Sequence, residues 1–212
     1  EWLCNPEKLV RTVQVALDDW NANTIRLPLS QDKWFGFGGD QRGEDESGER
    51  YRAIVDQIVE EIAKRRKYVI LDLHRSNCGS WGEFISGNMP DMNSLVFWKD
   101  IARRFGNHPN VLFGIFNEPF KVSWDCWRDG GEVTVEYAPQ NIGNQIMRDE
   151  SGEPVLERIT YHVPGLQEMV RTVRAVGAKN IAIVAGLDWG YELDGVAKGY
   201  VIDDCGGNGL ML

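Results

Sequence analysis

The stretch VLFGIFNEP at residues 111–119 sets the reading of the chain. An apolar run followed at once by Asn117, Glu118 and Pro119 describes a strand buried on both faces and ending in polar side chains. That is the habit of a parallel sheet covered by helices. Working outward, YVILDL at 68–73 is a second such strand, closed by His74, and TIRLPL at 24–29 is a shorter one carrying Arg26. IAIVA at 181–185 reads as a fourth strand, and residues 209–212 as the opening of a fifth.

Helical spacing fills the intervals. Asn5 and Pro6 supply a cap and a first-turn proline ahead of Leu9, Val10, Val13, Ala16, Leu17 and Trp20 on one face. From about Glu49 the inward set is Tyr51, Ile54, Val55, Ile58, Val59 and Ile62. Asn93 or Ser94 is expected to cap the next helix, which turns Leu95, Trp98, Ile101, Ala102 and Phe105 inward. A last helix carries Leu166, Met169, Val170, Val173 and Val176. Alternating strand and helix gives a parallel α/β protein with right-handed crossovers. An open doubly wound sheet and a closed barrel share this pattern, so the strand-end residues must choose between them. Residues 121–160 read as a polar insertion in one domain that spans residues 1–212.

A chain of 212 residues with 42% hydrophobic content forms one sizeable core. Its formal charge of -9 opposes a phosphate-tracking groove, so no nucleic-acid partner is expected. No run approaches the roughly 18 apolar residues of a membrane span, and residues 1–4 do not resemble a signal peptide. The true start of the protein is expected to lie upstream. Cys4, Cys78, Cys126 and Cys205 are too few for a disulfide framework, although Cys78 and Cys126 share a set of loops where a bridge could form. Eight tryptophans suit stacking on sugar rings as well as burial in a core.

Arg26, His74, Asn117 and Glu118 all follow or end strands. One such residue is an ordinary strand-end polar group, but in a barrel the strand C-termini converge on one face, and four together make a site. Glu118 follows a strongly apolar strand, and partial burial would disfavour its charged form, which suits a proton donor to a glycosidic oxygen. Rival chemistries find little support. His74, His108 and His162 form no zinc motif, so no metal is expected; the glycines at 36, 38, 39 and 43 do not match a dinucleotide loop; and Leu73-His74-Arg75 lacks the aspartate of a kinase loop.

The segments NTIRLPLS (23–30), VILDLH (69–74), FNEP (116–119) and GLDWGYELDG (186–195) together resemble glycoside hydrolase family 5, the cellulase-like enzymes. The resemblance implies an α/β fold, a partial TIM (β/α)8 barrel covering about the second to the start of the sixth strand. It implies a retaining endo-acting β-glycanase in the complete protein, without cofactor, acting on a β-glycan and secreted. By that resemblance Glu118 is the general acid/base, Arg26, His74 and Asn117 support it, and Trp189 contacts sugar. Trp34, Trp81 and Trp124, in other post-strand loops, are further substrate-binding candidates. Arg75 departs from the tryptophan that related sequences often carry. The nucleophilic glutamate, on the family's seventh strand, is expected outside these residues, while Asp72 and Asp188 read as structural. The alternative is a non-catalytic carbohydrate-binding half-barrel; an interaction module built on the insertion has no motif behind it.

Overall fold

The computed structural model describes residues 5–83, 85–139 and 145–212. Helix α1 (Pro6–Asp18) begins where the Asn5 side chain accepts the Lys8 N–H at 3.0 Å, and it buries Val10, Val13 and Leu17. Trp20, expected on that face, lies past the end of the helix and is 74% exposed. Strand β1 (Thr24–Ser30) passes directly into the short α2 (Gln31–Trp34), and α3 (Glu49–Lys64) buries all six residues that the helical spacing turns inward. Strand β2 (Tyr68–Arg75) runs one residue beyond His74 and leads by a loop to α4 (Met92–Phe105).

The cap of α4 is Asp91, and neither Asn93 nor Ser94 fills that place. Its carboxylate accepts the Ser94 N–H at 3.1 Å while the Ser94 hydroxyl accepts the Asp91 N–H at 3.1 Å. A negative cap also complements the positive end of the helix, an advantage that Asn93 and Ser94 lack. Strand β3 (Val111–Gly114), helix α6 (Gly165–Ala175), strand β6 (Ala182–Ile183), helix α7 (Asp194–Ala197) and strand β7 (Leu210–Met211) complete the alternation.

Among the described residues, the main sheet is five-stranded, parallel throughout, in the order β1-β2-β3-β6-β7. This places consecutive βα units side by side, as in one arc of a barrel. Leu27 and Leu29, Val69, Leu71 and Leu73, and Val111, Phe113 and Ile115 form the buried face beneath the helices. On the other face of β1 lie Thr24, Arg26 and Pro28, all exposed.

The insertion is more structured than its polarity suggests. It holds α5 (Trp124–Asp129) and an antiparallel hairpin of β4 (Gly131–Tyr137) with β5 (Glu157–Val163), so it runs to Val163 rather than to about residue 160. Residues 140–144 lie outside the described residues. Val133, Val135, Tyr161 and Val163 are buried. The outer face pairs Glu132 with His162 at 2.9 Å, Thr134 with Thr160 at 2.7 Å and Glu136 with Arg158 at 2.6 Å. The alternation in VTVEY and ITYHV is the sequence signal for this hairpin. The Tyr161 hydroxyl accepts the Met89 N–H at 3.1 Å and lies 3.2 Å from the Met89 carbonyl, tying the hairpin to the loop before α4.

Asp91 is fully buried and, besides Ser94, accepts the backbone N–H groups of Asn77 (3.1 Å) and Gly79 (2.8 Å) and the Gln31 amide (3.1 Å). Asp91→Ala strips the Asn77 and Gly79 N–H groups of this acceptor and the Gln31 amide of one of its two, and is expected to cost about 3 kcal/mol or more in urea unfolding. Lys99→Ala, on the exposed side of the same helix, should stay within about 0.5 kcal/mol.

Candidate active site

Parallel register brings the polar strand ends together. Asp72 on β2 stands between Pro28 on β1 and Gly114 on β3, and the Asn117 N–H donates to the Leu73 carbonyl at 2.9 Å. Across these strands, Arg26 Nη2 lies 2.8 Å from Asp72 Oδ2 and donates to Asn117 Oδ1 at 2.5 Å, while His74 Nδ1 lies 3.1 Å from the same Asp72 oxygen. Arg26 and His74 are half-exposed, with side-chain accessibilities of 44% and 46%, whereas the Asp72 carboxylate retains 4%. Burial pushes Asp72 above the ordinary carboxylate range, against the pull of Arg26 and His74. Gly114 makes room for it, because a Cβ there would stand 2.8 Å from Asp72 Oδ1.

Arg26, His74 and Asn117 therefore stand together, with Asp72 bonded to both Arg26 and His74. The signal of Asp72 in the sequence was an ionisable group inside an otherwise apolar strand, which demands a partner. Glu118 follows Asn117 directly. The half-burial expected from its strand is not met: β3 ends at Gly114, and the Glu118 side chain stands exposed at the rim. Its backbone is left-handed, with φ 54°, a conformation that costs a non-glycine residue about 1 kcal/mol or more. Asp188 (φ 52°) and Trp189 (φ 59°) share that conformation, and the Trp189 N–H donates to the Pro119 carbonyl at 3.1 Å. The Trp189 ring, 45% exposed, stacks on Phe120 with centroids 5.0 Å apart and planes at 19°. An aromatic surface thus adjoins the carboxylate.

A family model described as Cellulase (glycosyl hydrolase family 5) matches residues 2–204. The chain belongs to glycosyl hydrolase family 5. Endoglucanase MaCel5A of Microbulbifer sp. (strain ALW1) is 32% identical over 109 residues, 51% of this chain and 18% of that protein. Cellulase CelDZ1 of Thermoanaerobacterium sp is 26% identical over 191 residues, 88% of this chain and 38% of that protein. The structure of β-glucanase SdGluc5_26A from Saccharophagus degradans in complex with cellotetraose superposes with a TM-score of 0.62 at 19% identity, covering 99% of this chain and 51% of that one. The chain thus spans about half of that solved structure and less of the curated relatives. At that identity the structural likeness speaks for the fold, a partial (β/α)8 barrel.

The other tryptophan candidates of this family 5 chain divide by burial. Trp34 does not line a cleft: it is wholly buried, edge-on to Tyr51, Phe97 and Phe105, with its indole N–H donated to Asp100 at 2.7 Å. Its place in α2, immediately after β1, turns it under the barrel's helices rather than over the strand ends. Trp124 is half-buried between Trp127 and Tyr200, beneath Gly195, where an added Cβ would meet its ring at 2.1 Å. Trp81 is half-buried and stacks on the exposed Phe37 with centroids 5.0 Å apart. No cluster of three or more potential metal ligands occurs among the described residues.

Cys78 and Cys126, considered for a bridge, are both free thiols; Cys205 is also free, and Cys4 lies outside the described residues. Burial, with the Asp91 carboxylate adding to it, pushes the Cys78 thiol up to about 12. Cys205 is exposed. Timed alkylation followed by peptide mass mapping should find Cys205 modified first and Cys78 more than about 100-fold more slowly. Equal rates at the two thiols would contradict this burial.

Proposed function

We propose that the protein containing these residues hydrolyses β-linked glucan by a retaining mechanism, as an endo-acting glycosidase, with Glu118 as general acid/base. The observation that carries the reading is the network of Arg26, Asp72, His74 and Asn117 directly beside an exposed carboxylate on the strand C-terminal side of a family 5 barrel. Supporting it, the relatives are named endoglucanase and cellulase, and one superposed structure holds cellotetraose.

Retention needs a second carboxyl roughly 5 Å from the first. Asp72 is buried and committed to Arg26 and His74, so it does not supply the attacking group. The nucleophile in this reading is a glutamate on a further strand of the same protein. Glu118 first protonates the leaving oxygen and then takes a proton from the water that releases the covalent intermediate. Asn117 and His74 bind sugar hydroxyls. Trp189 on Phe120 offers an apolar face to a pyranose ring, and Trp81 with Phe37 extends the sugar-binding surface. Secretion follows in this reading from the substrate, a polymer too large to enter a cell; among the described residues no helix is long and apolar enough to cross a membrane.

In the full-length protein Glu118→Gln should lower turnover of carboxymethylcellulose by roughly 10²–10⁴-fold and cleavage of an aryl β-cellobioside with a good leaving group far less in its first step, because such a group needs little protonation. Equal losses on both would remove the acid/base assignment. Binding of cellotetraose without turnover in the unaltered full-length protein would favour a carbohydrate-binding role.

A further inference from the structure

Asp72 is an expensive residue in its place. It is a carboxylate with 3% exposure in a strand whose other members are largely apolar, and burying a charge is unfavourable unless partners hold it. Its Oδ2 faces two side chains at once, the Arg26 guanidinium at 2.8 Å and His74 Nδ1 at 3.1 Å, and Gly114 leaves the space it occupies. An ionised carboxylate only accepts hydrogen bonds, and a guanidinium only donates them. The partners of these two groups therefore have no choice of polarity. His74 must carry its proton on Nδ1, which leaves Nε2 of the neutral ring as an acceptor. Asn117 must turn its carbonyl oxygen to Arg26, which leaves its NH₂ as the outward donor.

We propose that Asp72 is a positioning residue that sets the hydrogen-bond polarity of the site, fixing His74 as the Nδ1–H tautomer and, through Arg26, presenting the Asn117 amide nitrogen to the ligand. A sugar hydroxyl meets an acceptor at His74 Nε2, and a sugar oxygen meets a donor at Asn117 Nδ2. This deepens the glucan-binding reading above and rests on it for the nature of the ligand. The tautomer itself follows from geometry alone. A ligand carrying the opposite polarity at these points would leave both protein groups unpaired, and the site would reject it.

The test uses the full chain labelled with ¹⁵N-histidine, observed by long-range ¹H–¹⁵N spectra at a pH where imidazoles are neutral. His74→Gln identifies the His74 signals. The expected result is a dominant Nδ1–H tautomer at His74, lost to the Nε2–H form or a mixture in Asp72→Ala, which removes the acceptor, with the His108 and His162 signals unmoved. An Nε2–H His74 in the unaltered chain overturns the inference, as does an unchanged tautomer in folded Asp72→Ala. Should that variant unfold, seen as a collapse of the His108 and His162 signals, the tautomer in the unaltered chain decides alone. Turnover plays no part in this readout. An Nδ1–H His74 in a full-length protein that cleaves no β-glucan would keep this inference and remove the catalytic reading, while an Nε2–H His74 in an active enzyme would do the reverse.

Discussion

Parallel pairing of β1, β2 and β3 is the constraint on which the site depends. It sets Pro28, Asp72 and Gly114 side by side, and from that row the positions of Arg26, His74 and Asn117 follow. Because side chains alternate along a strand, a slip of one residue in β2 would send Asp72 and His74 under the helices and bring Leu71 and Leu73 to the open face. The apolar residues prevent it. Val69, Leu71 and Leu73 are wholly buried against the helical layer, so the hydrophobic packing of one face holds the polar groups of the other in register. The geometry of the candidate site is in this sense a by-product of core packing.

Strain gathers where the chain leaves the strands. Glu118, Lys121, Asp188 and Trp189 all adopt positive φ without being glycine, and each follows β3 or β6. The backbone bond from Trp189 to Pro119 joins the two loops, so the conformations that tilt Glu118 outward and set Trp189 on Phe120 are held in common. Loops positioned by a rigid scaffold are the usual carriers of chemistry, and strained residues within them persist only where their surroundings impose them.

A second polar network lies on the buried side. Asp91 gathers Gln31, Asn77, Gly79 and Ser94, and Asn77 in turn donates to both oxygens of Asp32 at 2.8 and 2.7 Å. These bonds clamp the loop after β2 to the turn after β1 and to the start of α4. They satisfy backbone donors that a long buried loop would otherwise leave unpaired. The hairpin of β4 and β5 adds one more tie through Tyr161, which joins the insertion to the scaffold.

Sequence alone determined the alternation of strands and helices, the inward residues of α3 and the parallel sheet, because each leaves a local trace in period; His74, Asn117 and Glu118 showed as an abrupt change of polarity after apolar runs, whereas Arg26 lies within β1 rather than at its end. The cap of α4 was misplaced, since Asp91, Asn93 and Ser94 are all competent caps and only the fold shows which one meets Asn77 and Gln31. The hairpin within the insertion was missed for a similar reason: its alternation is short and its outer face is charged. Tertiary structure alone decided which tryptophans are core and which are surface, because an indole suits both and burial depends on what packs over it. That is why Trp34 moved from the cleft into the core while Trp189 remained open. Of the two partners of Asp72, His74 stands two residues along the same strand, but Arg26 comes from β1, and only the fold brings that guanidinium to the carboxylate.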